Sequence, residues 1–214
     1  MMKTPATWLV LGSWLVVGLE PLAAAEPATL PPLNSPFAAA DWTVTDVHGR
    51  THQPWADPQT RAVVLVFISP DCPVSNYYQP TLRRLIEQYR PAGVAWYFVH
   101  PLPQVSSERA RQHARDYSIP VPVVLDPRQA LTAACGAKKM PQAAVIDRQG
   151  TIAYLGRIDD TFVGFGKRRA QPTEHTLRDA LAAVLEGEAV ASPRTDSVGC
   201  LIPLTAPAAP RPGG

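Results

Sequence analysis

Apolar and polar positions outline most of the chain. "DWTVTDVHGRTH" (41–52) alternates around Gly49 and predicts a small hairpin. "AVVLVFI" (62–68) is an unbroken, β-branched apolar run, as expected of a central strand covered on both faces. Tyr78, Leu82, Leu85, Ile86 and Tyr89 then recur at helical spacing, and Pro80 inside that run should kink the helix. "VAWYFV" (94–99) reads as a second buried strand. "SSERARQHARDY" (106–117) predicts a helix capped by Ser106 or Ser107, with Ala110, Ala114 and Tyr117 on one face. "VPVVLDP" (121–127) is a third strand, which Pro122 confines to an edge or a strand start. "RQALTAACGA" (128–137) is a short helix stopped by Gly136. "AAVID" and "TIAYLGRI" flank Arg148-Gln149-Gly150 and form two strands joined by a tight turn. Leu177, Leu181, Val184 and Leu185 stripe a last helix that ends near Gly187.

The order is therefore β-α-β-α-β-α-β-β-α. Its early crossovers imply parallel strands with helices on both faces, and the late hairpin adds an antiparallel member. This places one α/β domain at 41–187, with a tail at 188–214. The chain has 214 residues, 46% of them apolar, enough for one sizeable core. Many of its 24 prolines sit near the ends, in "EPATLPPLNSP" and "PLTAPAAPRPGG", and 26–40 reads as an extended leader. Before it, Lys3, the apolar run "TWLVLGSWLVVGL" and Ala23-Ala24-Ala25 have the form of a signal peptide, 1–25, cut before Glu26. The apolar run is short for a membrane span. The expectation is export to a periplasmic or extracellular space, without stable membrane insertion after cleavage. A net charge of +2 and the lack of a basic stripe with interleaved aromatics give no case for nucleic acid.

Three cysteines remain, Cys72, Cys135 and Cys200, and no C-x-x-C spacing occurs. Cys72 stands at a strand-to-helix junction, where unpaired N–H groups and the helix dipole favour the thiolate, the reactive form. Asp71 beside it opposes that effect. Ser75 occupies the place of a second redox cysteine. Its hydroxyl can hydrogen-bond a thiolate but cannot resolve a mixed disulfide, so a resolving thiol must come from elsewhere. Cys135 lies on a helix among alanines, where packing is its expected role. Cys200 follows the last helix at a distance an extended chain can span, and Gly199 permits close backbone approach.

A buried strand, then Cys72-Pro73-Val74-Ser75, then Pro80, and much later Met140-Pro141 before a hairpin resemble the thioredoxin superfamily over roughly 40–187. More narrowly, "DCPVSN" (71–76), "HARDY" (113–117), "GAKKMPQAAVID" (136–147), "GRIDD" (156–160) and "GCLI" (199–202) are similar to exported redoxins related to alkyl hydroperoxide reductase and thiol-specific antioxidant proteins. The resemblance implies a thioredoxin-like fold, a central mixed sheet flanked by helices. It implies Cys72 as attacking cysteine and Pro141 as a cis-proline beside it. A chain could then pair with the backbone edge at Met140-Pro141, and the Cys72 sulfur is expected to be accessible at the mouth of that groove. Cys200 is the candidate resolving thiol. The implied substrates are protein thiols or disulfides, or peroxides, with an exported electron-transfer partner and no bound cofactor.

Alternatives remain open on the same residues. Peroxidatic sites of the related peroxiredoxins resemble P-x-x-x-[TS]-x-x-C; Ser69 fits the hydroxyl position, while Leu65 stands in place of the proline, and Arg157 offers a positive charge. Copper-assembly proteins of this fold resemble the chain but use C-x-x-x-C, where Asn76 stands here. Cys72 with His100, His113, His175, Met140 or Cys200 would be the soft-metal set. A module that binds an extended chain without turnover is the third class.

Overall fold

A computed structural model describes Phe37 and residues 42–203. The expected signal peptide, 1–25, lies outside the described residues, as does nearly all of the leader. Strands β1 (Val44–Thr45) and β2 (Thr51–His52) form the expected hairpin, with Gly49 at φ 80° in its turn. Strand β3 (Ala62–Phe67) is followed by α1 (Pro73–Tyr77) and α2 (Gln79–Tyr89). Next come β4 (Val94–His100), α3 (Ser107–Asp116), β5 (Val123–Leu125) and α4 (Ala130–Cys135). The chain continues through β6 (Lys139–Met140), β7 (Gln142–Asp147), β8 (Ile152–Gly156), β9 (Phe162–Gly164) and β10 (Lys167–Arg168). It closes with α5 (Thr176–Glu186) and β11 (Cys200–Leu201).

The main sheet has five strands in the order β5-β4-β3-β7-β8. β3 runs parallel to β4 and antiparallel to β7, so the sheet is mixed. All six residues of β3 are buried, which is what an uninterrupted apolar run predicts of a strand covered on both faces. β5 is an edge strand that starts one residue after Pro122, where the missing N–H does no harm. α2 is tied to α3 by Arg83 Nη2 donating to the Tyr117 carbonyl (2.7 Å), and to α5 by Tyr89 Oη donating to the Arg178 carbonyl (3.3 Å).

One local expectation needs correction. Pro80 does more than kink one helix: the run divides at Tyr78 into α1 and α2, with Pro80 in the first turn of α2. Proline lacks the N–H that would continue the ladder, and the first turn is where that loss is tolerated. Residues 188–203 run back along the domain: Leu155 N–H donates to the Pro193 carbonyl (2.9 Å), and Ile202 N–H to the Lys138 carbonyl (2.9 Å). Between these anchors β11 pairs antiparallel with β6, Cys200 opposite Met140 and Leu201 opposite Lys139. Other positions behave as the pattern predicts. The Ser106 hydroxyl accepts from Arg109 N–H (3.2 Å) as the N-cap of α3, and Gly136 ends α4 at φ 70°.

Candidate active site

The loop after β3 makes its turn with its own polar atoms. Cys72 N–H donates to the Ser69 carbonyl (3.2 Å), and Asp71 N–H to the Ser69 hydroxyl (3.3 Å). Cys72 is then the N-cap of α1, with Pro73 at the first helical position, where no donor is lost. Asn76 staples the loop from within the helix. Its Nδ2 donates to the Pro70 carbonyl (2.9 Å), while its Oδ1 lies 2.9 Å from His113 Nε2 on α3. Asp71 faces outward and pairs with Arg109, so the charge expected to oppose the thiolate is turned toward a guanidinium.

The Met140–Pro141 peptide is cis and stands directly against the cysteine: Cys72 Sγ lies 3.1 Å from the Met140 carbonyl oxygen. β11 brings Cys200 to the same place, opposite Met140, where the two cysteine side chains shift each other's titration. All three cysteines are free thiols. Gly199 explains how the tail comes so close. A Cβ on it would lie 2.0 Å from the Met140 carbonyl oxygen and 2.7 Å from the Met140 carbonyl carbon. The strand can lie there only without a side chain.

The electrostatics separate the two thiols. Burial by itself would raise the Cys72 thiol. The Cys200 side chain, the Ser75 hydroxyl, and the Ser75 and Cys200 N–H groups outweigh it, leaving Cys72 below its ordinary value. The Ser75 hydroxyl is buried and has no hydrogen-bond partner among the described residues. Cys200 moves the other way, pushed up to about 11 by burial and then by the neighbouring Cys72. Of the two neighbours, Cys72 is thus the more acidic thiol and Cys200 the less acidic. Cys135 is far more basic than an ordinary thiol, first through burial and then through Asp126.

Cys72, Ser75, Pro141 and Cys200 thus converge, and Cys135 stands apart at the end of α4. One expectation fails: the Cys72 sulfur is not accessible at the mouth of an open groove. The residue is 1% exposed, because β11 fills the edge at Met140-Pro141. The Arg157 guanidinium is engaged elsewhere, pairing with Glu174 (2.5 Å). The histidines weighed as soft-metal ligands do not gather around Cys72: His100 and His113 pack on each other at 5.3 Å between ring centroids, and His175 caps α5. Among the described residues no three His, Cys, Asp or Glu side chains come together as a metal site.

The tail's anchors were not foreseen. Thr195 Oγ1 lies 2.7 Å from Tyr154 Oη and accepts from Arg157 N–H (3.0 Å), and Lys139 Nζ pairs with Asp196 (2.6 Å). Gly156 in "GRIDD" was a usable signal, because a Cβ there would meet the Thr195 hydroxyl at 2.0 Å. Asp159 holds a loop, accepting from Tyr78 Oη (2.6 Å) and Thr161 N–H (2.9 Å).

A family model described as the AhpC/TSA family matches residues 37–155. No curated protein matches the chain. Among solved structures, a hypothetical protein from Sinorhizobium meliloti 1021 is 28% identical, covering 79% of this chain and 93% of its own at a TM-score of 0.67. An uncharacterized conserved protein from Geobacillus kaustophilus is 27% identical, covering 82% and 95% at a TM-score of 0.64. A candidate thiol:disulfide interchange protein, DsbE, from Chlorobium tepidum is 19% identical, covers 69% and 94%, and shares the fold at a TM-score of 0.52.

Proposed function

The chain belongs to the AhpC/TSA family, redoxins of the thioredoxin superfamily, and on that premise we propose an exported thiol-dependent oxidoreductase in which Cys72 attacks and Cys200 resolves. The carrying observation is the seat of Cys200 against Cys72, made by the pairing of β11 with β6. Ser75 and its N–H steady the attacking thiolate, and the Met140-Pro141 edge shapes the site. The apolar N-terminal run followed by Ala23-Ala24-Ala25 supports export.

With a disulfide substrate, the Cys72 thiolate attacks one sulfur, a bond forms to Cys72, and the first substrate thiolate leaves. Cys200 then loses its proton and attacks Cys72 Sγ; the Cys72–Cys200 bond forms and the second substrate thiolate leaves. One substrate disulfide is reduced and two protein thiols are oxidised. With a hydroperoxide, Cys72 takes the distal oxygen as a sulfenic acid and the alcohol leaves. Cys200 then displaces water to give the same disulfide. A partner thiol returns the protein to the dithiol in either case.

Mass mapping of a non-reduced digest after mild oxidation tests the pairing. The expected product is a peptide pair joined through Cys72 and Cys200, with Cys135 still a thiol. If oxidation never joins those two cysteines, Cys200 is not the resolving thiol.

A further inference from the structure

We propose that β11 is a substrate filter: it fills the edge an extended polypeptide would need, so that Cys72 is open to small disulfides or hydroperoxides and closed to disulfides held in a peptide chain. This rests on the thiol chemistry proposed above and narrows its substrate class.

A strand edge has one set of outward N–H and C=O groups, and each pairs with one neighbour. Along β6 that edge is already occupied: Cys200 sits opposite Met140, and the Lys138 carbonyl accepts from Ile202 N–H (2.9 Å). An extended chain carrying a disulfide must align on these same groups to bring its sulfur to Cys72, so it must first remove the tail. The tail resists along its length. Thr195 is held by the Tyr154 hydroxyl and Arg157 N–H, Ile202 is buried and its N–H bonds Lys138, and the Pro203 carbonyl accepts from Gln129 Nε2 (2.9 Å). A small oxidant needs none of this surface. Cys200 is only half-buried and Leu201 is 70% exposed, so a local fluctuation of a two-residue strand opens enough room. Gly199 is the determinant of fit, because its Cα lies against the Met140 carbonyl with no space for a Cβ.

The chemistry inside the filter conserves electrons as written above. A small disulfide, RSSR, accepts two electrons from Cys72 and Cys200 and leaves as two RSH, while the protein becomes the Cys72–Cys200 disulfide.

The test compares rates of Cys72–Cys200 disulfide formation in the reduced full chain, read by quenched alkylation and mass mapping. The two oxidants are hydroxyethyl disulfide and a short linear peptide disulfide. The natural chain should prefer the small oxidant by about a hundredfold or more. Gly199→Ala should shrink that preference at least about tenfold by displacing β11. Thr195→Val loosens the other anchor without adding bulk in the site, and should shift the ratio the same way to a smaller degree. Because each variant is scored as a ratio of two oxidants, a general loss of reactivity does not imitate the effect. Equal rates in the natural chain, or a ratio unchanged in both variants, would overturn the filter and leave the thiol chemistry standing. No Cys72–Cys200 disulfide with either oxidant would overturn both.

Discussion

At the scale of single residues, two neighbouring thiols are shifted in opposite directions. Cys200 makes the largest contribution to holding Cys72 down, and Cys72 in turn helps raise Cys200 to about 11. Replacing Cys200 with Ala removes that contribution and leaves burial less opposed. The Cys72 thiolate absorbance near 240 nm should then appear at higher pH than in the natural chain. Cys200→Ser keeps a hydroxyl donor and should move the titration less; identical curves for both variants and the natural chain would refute the assignment. Asn76 carries a second consequence. It joins the Pro70 carbonyl to His113, so Asn76→Ala unfastens the loop that presents Cys72. The expected cost is about 1–3 kcal/mol of stability by denaturant unfolding, since it strands partly buried polar partners.

At the scale of elements, β11 is the piece whose loss would change most. Gly199→Ala forces a Cβ into the Met140 carbonyl, so β11 should detach from β6 at a cost of about 1–3 kcal/mol. Cys72, 1% exposed in the closed form, should then react faster with iodoacetamide, and an unchanged rate would show that the strand stays in place. Ser106→Ala removes the cap of α3 and should lower stability by about 1 kcal/mol without altering thiol reactivity. Much of this level could be read in the residues. β3 and β4 announce themselves by continuous apolar runs, α5 by its stripe, and the α3 cap by Ser106. β6, β9, β10 and β11 do not, because two or three residues carry no period, and such strands form only when a distant partner meets them. The convergence of Cys72, Ser75, Pro141 and Cys200 was legible from motif and reach. The closure of the groove was not, since it depends on where Thr195 and Ile202 find partners.

At the scale of the whole molecule, the pH response should be set by two histidines away from the sulfurs. His100 is lowered to about 3 and His113 to about 4, in both cases chiefly by burial. The unfolded chain binds those protons near the ordinary histidine value of about 6.5, and the fold does not. Their contribution to stability is therefore complete above about 6.5 and falls away as pH drops toward 4 and then 3. Urea midpoints should decline through that window, and His113→Gln should flatten the decline; a midpoint level from pH 7 to 4 would contradict it. The path of the tail has a practical corollary. Pro203 bonds Gln129 three residues past Cys200, so a tag, reporter or surface tether joined directly after it, in place of residues 204–214, begins three residues from Cys200. Cargo attached there would crowd or tug the strand that lies beside the thiols, and immobilised preparations held by that end should show it partly displaced.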